Sequence, residues 1–126
     1  MAAYLPGAGP NKTAESIFKD GLREYLAGNY NRARTQFETV LQISPTHSMA
    51  NLYLEKCTTS VRDEVKAQLG FAKKAVDAGK LRDARARYDR VMRLLYKDQS
   101  NSSYIEAKEQ FQKVIELLKR EGGASP

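Results

Sequence analysis

The feature that most constrains this chain is that it repeats itself. The stretch Ala27-Gly28-Asn29-Tyr30-Asn31-Arg32-Ala33 is echoed further on by Ala78-Gly79-Lys80-Leu81-Arg82-Asp83-Ala84, an offset of 51 positions. In both, an apolar residue stands two positions after the glycine and an alanine five after it. An aromatic follows four positions past each alanine, Phe37 or Tyr88, and a valine three further on, Val40 or Val91. Each element has a physical reading. Glycine permits a tight turn between helices, alanine lets two helices approach, and the aromatic and valine fill the groove a turn later. The chain therefore reads as helical hairpins built twice.

The flanking patterns agree. Thr13 is a candidate N-cap, with Glu15 favouring the positive end of a helix running to about Ala27. On that helix Ile17, Phe18, Gly21, Leu22, Tyr25 and Leu26 cover an arc of about 180°, wider than one packing partner needs. The next helix, about 30–43, has a narrower stripe of Tyr30, Ala33, Phe37, Val40 and Leu41. It ends at Ser44-Pro45 because the residue before proline leaves the helical region. A third segment starts near Thr46 and carries Met49, Ala50, Tyr53, Leu54 and Cys57. Ser60 with Asp63 resembles a capping box, so a break is expected near 58–60, with a single long helix running through that point as the alternative. A helix over about 61–78 closes at Gly79, another follows over 81–96, and a polar loop leads to the pair Ser103 and Glu106, a full capping-box pattern for a last helix. No alternating strand pattern occurs. The fold class is all-α, with five to six helices over residues 13–121. Residues 1–12, with two prolines and two glycines, read as a flexible leader, and 122–126 as a flexible tail.

Composition narrows the function classes. The single cysteine, Cys57, and single histidine, His47, exclude an internal disulfide and argue against metal or histidine chemistry. No phosphate-binding glycine loop, nucleophile elbow or His–Glu metal pattern is present, so the chain is not read as an enzyme, and no cofactor is implied. No apolar run reaches membrane-spanning length. The net charge of +6 is concentrated: residues 61–98 hold eleven Lys/Arg against six Asp/Glu.

The Gly-turn, Ala, aromatic and Pro pattern resembles the tetratricopeptide repeat, a helix–turn–helix unit of about 34 residues. The first unit fits residues 14–47, with Gly21, Gly28, Ala33, Phe37 and Pro45. The second fits 65–98, with Ala72 as the small residue, but Tyr96 stands where proline is usual. The family's first-helix tryptophan and tyrosine are replaced by Ile17 and Glu24 in the first unit. The two units are offset by more than one repeat length. That leaves residues 48–64 as an insertion or degenerate half-unit, and the last helix as a cap. The resemblance covers most of the chain once the degenerate parts are included. It implies a short right-handed solenoid of antiparallel hairpins, a cytoplasmic scaffold or adaptor belonging to a larger bacterial signalling or secretion protein.

That resemblance also nominates a concave face lined by the first helix of each unit: Glu15, Phe18, Leu22 and Tyr25, then Lys66, Leu69 and Lys73. It would hold a peptide or helix of another protein. The competing expectation is that Phe18, Leu22 and Leu69 pack on neighbouring helices. Two further partners stay open. The wide apolar arc of the first helix could build a homodimer. Arg82, Arg90, Arg93 and Lys97, within about 80° of one helix, could meet an acidic protein or a phosphate backbone. Asp83 and Asp89 temper that face, and no aromatic interleaves it for base stacking, so nucleic acid is disfavoured.

Overall fold

The computed structural model describes residues 13–122, and all the regular structure among them is helical: α1 Ala14–Leu26, α2 Tyr30–Ile43, α3 Ser48–Asp77, α4 Leu81–Leu94 and α5 Ser102–Gly122. No strand occurs among the described residues. The expected leader lies outside them, as does the expected tail apart from Gly122, which ends α5.

Local chemistry sets the helix ends. Thr13 Oγ1 accepts a hydrogen bond from the Ser16 N–H at 3.1 Å, Glu15 lies in the first turn of α1 and Arg23 in its last, each with the sign the helix dipole favours. After α1 the chain makes a Schellman turn. Gly28 sits at φ 81°, its N–H donates to the Tyr25 carbonyl at 3.0 Å, and the Asn29 N–H donates back to Glu24 at 2.9 Å. After α3 the same turn recurs: Gly79 at φ 75°, its N–H to Val76 at 3.0 Å, and Lys80 N–H to Ala75 at 2.8 Å. The sequence repeat is thus a repeat of hydrogen bonds as well. It extends to the far ends of the following helices, where Ser44 N–H donates to Val40 and Leu95 N–H to Val91.

Two sequence expectations are corrected. The break near 58–60 does not occur, and α3 is one helix of 30 residues. The reason is that its buried positions stay in phase through the segment: Ala50, Cys57, Val61, Val65 and Ala72 follow at four- and seven-residue steps. The polar residues at the expected break are otherwise engaged. Thr58 Oγ1 donates back to the Leu54 carbonyl, and the Ser60 hydroxyl pairs with that of Tyr25 at 3.2 Å. The second correction concerns α5, whose cap is not Ser103. Ser103 already lies inside the first turn, and the Asn101 side chain accepts its N–H at 2.9 Å, while the Asn101 carbonyl takes the Ile105 N–H.

The described residues form two compact units, with the boundary inside α3 after Ser60. In the first, Ile17, Phe18, Ala33, Phe37, Val40, Ala50 and Cys57 make one core. Gly21 is required there. A Cβ at that position would stand 2.6 Å from Phe37 Cε1, so the absence of a side chain is what lets α1 lie against the ring. Phe37 also joins Phe18 (centroids 5.5 Å) and Tyr53 (5.7 Å) in an aromatic cluster. In the second unit Ala72, Ala84, Tyr88 and Val91 occupy the equivalent positions of the repeat, and all are buried. Ala107 and Val114 add the α5 contribution. Two contacts brace the antiparallel pairing of α3 with α4: Arg90 reaches both Glu64 carboxylate oxygens, at 2.9 and 3.2 Å, and Arg87 Nη1 donates to Gln68 at 3.2 Å.

Candidate interaction surfaces

In the first unit the wide apolar arc of α1 is only partly used. Ile17, Phe18 and Gly21 are buried. Leu22 and Tyr25 are half-buried, and Leu26 is 82% exposed. Beside that surplus face lies the outer face of the first half of α3, which carries Met49 (44% exposed) and Leu52 (43% exposed) one turn apart. Between the two faces is a shallow open recess of about 350 Å³, lined by Tyr25, Leu52, Glu55, Lys56, Thr59 and Ser60. Tyr25 forms one wall and is firmly placed. Its hydroxyl pairs with Ser60, and its ring meets Tyr53 edge-on at 5.4 Å and Tyr30 at 5.7 Å. On the α3 side the Lys56 ammonium lies 5.7 Å from the Tyr53 ring. The recess therefore has a rigid aromatic wall, an aliphatic rim and one charge of each sign, and none of its lining has the spacing of a catalytic or metal constellation.

The sequence-nominated residues of this unit are distributed unevenly. Tyr25 lines the recess and Leu22 lies a turn away on the same helix. Phe18 is 8% exposed and serves the core, flanked by Phe37, Tyr53 and the His47 ring at 5.1 Å. Glu15 accepts a hydrogen bond from His47 Nε2 at 2.9 Å. His47 Nδ1 in turn accepts the Ala50 N–H at 3.1 Å, which fixes the tautomer: Nε2 holds the proton and Nδ1 caps the start of α3. Met49, Leu52 and Lys56 were not nominated. Their positions follow from the helical period of α3 once its start at Ser48 is known, but residues 48–64 read from sequence as an irregular insertion, and that hid the face.

In the second unit Lys66 and Lys73 are exposed on α3 and Leu69 is half-buried. A recess of about 450 Å³ lies along the α3 face formed by Asp63, Lys66, Ala67, Gly70, Phe71 and Lys74. Phe71 was missed as well: it is 49% exposed, and the Arg87 guanidinium stands over its ring, 5.0 Å from the centroid.

The arginine face of α4 is largely spoken for. Arg90 is tied to Glu64, and Arg93 Nε donates to Asp89 at 2.7 Å. Arg82 is exposed, and Lys97 lies beyond the end of α4 beside the Tyr96 ring. Carboxylates thus hold two of the four cations on this face, and Asp89, foreseen as tempering it, is one of them. Cys57 is buried, and desolvation pushes its thiol up, with Arg34 pulling it partway back. Among the described residues no group of three His, Cys, Asp or Glu side chains could hold a metal ion, and no helix is long and apolar enough to cross a membrane. No family model matches the chain, and neither a curated protein nor a solved structure matches it.

Proposed function

We propose that the chain is a tetratricopeptide-like protein–protein interaction module whose first unit holds an apolar helix or extended peptide of a partner in the recess between α1 and α3. The fold part of this reading is supported by the two Gly-centred hairpins, which share their turn hydrogen bonds and their left-handed glycines. The function part is carried by one observation. Leu52, 43% exposed, lines a recess whose wall Tyr25 is held in place by Ser60 and two aromatic rings, and Leu26, next to Tyr25 in the chain, and Met49, a turn before Leu52 on α3, are left in water as well. Apolar rims around a rigid aromatic wall are what partner anchors bury in protein interfaces. Neither Leu26 nor Leu52 belongs to the core of the unit, so a partner that covers them gains the burial of their apolar surface.

The test is a screen of amphipathic peptides against the full chain, with affinity read by fluorescence anisotropy. Leu26→Asp and Leu52→Asp are expected to weaken the best binder at least tenfold, each removing roughly 1.5–3 kcal/mol of apolar burial, with unchanged circular dichroism and melting. Binding that is indifferent to both substitutions overturns the recess. A mass that doubles with concentration and reverts in the same variants makes the occupant a second copy of the chain.

A further inference from the structure

The outer face of α3 in the second unit has features that its own fold does not use. The inward side of this part of α3 is Val61, Val65, Ala72 and Ala75, all buried. Phe71 lies off that side, half in water, yet it is not loose. Arg87 covers one side of its ring and is itself fixed by Asp83 at 3.3 Å and Gln68 at 3.2 Å. Next to the ring, Ala67 and Gly70 leave a bare backbone floor. Among the described residues no packing contact requires glycine at position 70, because a Cβ built there meets nothing within 4 Å. Glycine is the poorest helix former after proline, and here it stands well inside a 30-residue helix, where it weakens the helix without relieving any contact. The recess is lined by Lys66 and Lys74 against one acid, Asp63; on the same outer face of α3, Lys73 stands to one side and the exposed Asp77 follows two turns past Gly70. None of the three lysines has a carboxylate within ion-pair reach among the described residues. The nearest acid on the inward side, Glu64, is taken by Arg90.

We infer that this face is a second docking surface, for an acidic amphipathic helix that sets one large apolar side chain over Gly70 against Phe71 and its carboxylates on Lys66 and Lys74. Charge complementarity selects the partner: Lys66 and Lys74 line the recess against the single Asp63, and over the whole face three ammonium groups outnumber Asp63 and Asp77, so the surface repels a basic segment and favours an acidic one. The floor selects a helix, because small residues at a crossing let two helix backbones approach and interdigitate. The spacing agrees, since Lys66 and Lys74 are two turns apart, about 12 Å along the axis at 1.5 Å per residue, the separation of carboxylates seven or eight positions apart on a facing helix. The surface is independent of the recess in the first unit and stands or falls separately from it.

The probe is a synthetic amphipathic helix of about five turns, with a central leucine flanked on the same face by two glutamates eight positions apart, titrated onto the full 15N-labelled chain. Binding in the micromolar range at low salt is expected, with the largest amide shifts at Ala67, Gly70 and Phe71. Lys66→Glu with Lys74→Glu is expected to weaken it at least tenfold. Gly70→Leu is expected to weaken it similarly while raising the melting temperature, which separates loss of the floor from loss of the fold. Leu26→Asp is expected to leave this affinity unchanged. The inference is overturned if the peptide does not bind, if it binds the charge-reversed or Gly70→Leu chain as tightly, or if single-stranded DNA or vesicles containing phosphatidylserine shift the same amides at lower concentration than the peptide does.

Discussion

Gly21 and Phe37 show how much a single pair of residues decides. The ring of Phe37 is fully buried and fills the space that a side chain at position 21 would need, so Gly21→Ala has to move the ring or the helix. That substitution gains helix propensity and still loses. The net expectation is a destabilisation of about 1–3 kcal/mol, typical of overpacking, measured by urea unfolding, whereas Phe37→Ala is expected to cost about 3–5 kcal/mol through its cavity. Both residues were legible in the sequence because their spacing around Gly28 recurs around Gly79. Phe18 was open to two readings, since an aromatic on the edge of a wide apolar arc suits a core and a groove equally well. Only the position of Tyr53 and His47 across from it decides, and those lie outside the hairpin. Cys57 and Tyr88 supply a pH dependence. Burial pushes the Cys57 thiol above its ordinary value of 9.0, and burial, then Glu106 and Asp77, push the Tyr88 hydroxyl above 10.0. A raised acid holds its proton in the folded chain when the unfolded chain has lost it. The contribution of these two groups is therefore intact below pH 9 and falls as pH climbs through the alkaline range. Urea midpoints taken from pH 8 to 11 are expected to decline, and Tyr88→Phe, which places in the second unit the ring the first already has, is expected to flatten the decline above pH 10 at little cost at neutrality.

The helices illustrate which signals are strong enough to read locally. The Schellman glycines were, because only glycine takes φ near +80° without strain. Gly28→Ala and Gly79→Ala are each expected to cost about 1–2 kcal/mol, even though neither position would bring a Cβ within 4 Å of anything. The end of α2 was legible through a comparable backbone restriction, proline acting on the residue before it. The continuity of α3 was not. A Ser-x-x-Asp pattern signals a helix start only when the preceding residues stop burying side chains, and here the apolar period runs on from Cys57 to Val61 and Val65. A local cap signal lost to a long-range packing period. Gly70 gives the reverse test. It is exposed, unpacked and interior to α3, so Gly70→Ala is expected to stabilise the free chain by about 0.5–1 kcal/mol, read as a higher melting temperature. A loss of stability instead would mean that the helix needs a kink at that point.

The helix α3 contributes to both units, residues 48–60 to the first and 61–77 to the second. A helix that runs unbroken from Ser48 to Asp77 acts as a nearest-neighbour term between units only if it transmits stability across residue 60. Arg62 lies just past the boundary, exposed and outside both cores. Arg62→Pro removes one helical hydrogen bond and clashes with the preceding turn, at about 3 kcal/mol, while deleting no core contact. Arg62→Ala serves as the control for the lost charge. If the shared helix couples the units, the parent chain unfolds in one transition and the proline variant in two, with hydrogen exchange showing which of residues 14–60 and 61–122 opens first. Phe37→Ala then sharpens the result: in the parent background it lowers protection on both sides of residue 60, and in the proline background only on the first. A single transition in the proline variant, or two already present in the parent, would show that the helix passes through the boundary without transmitting stability across it.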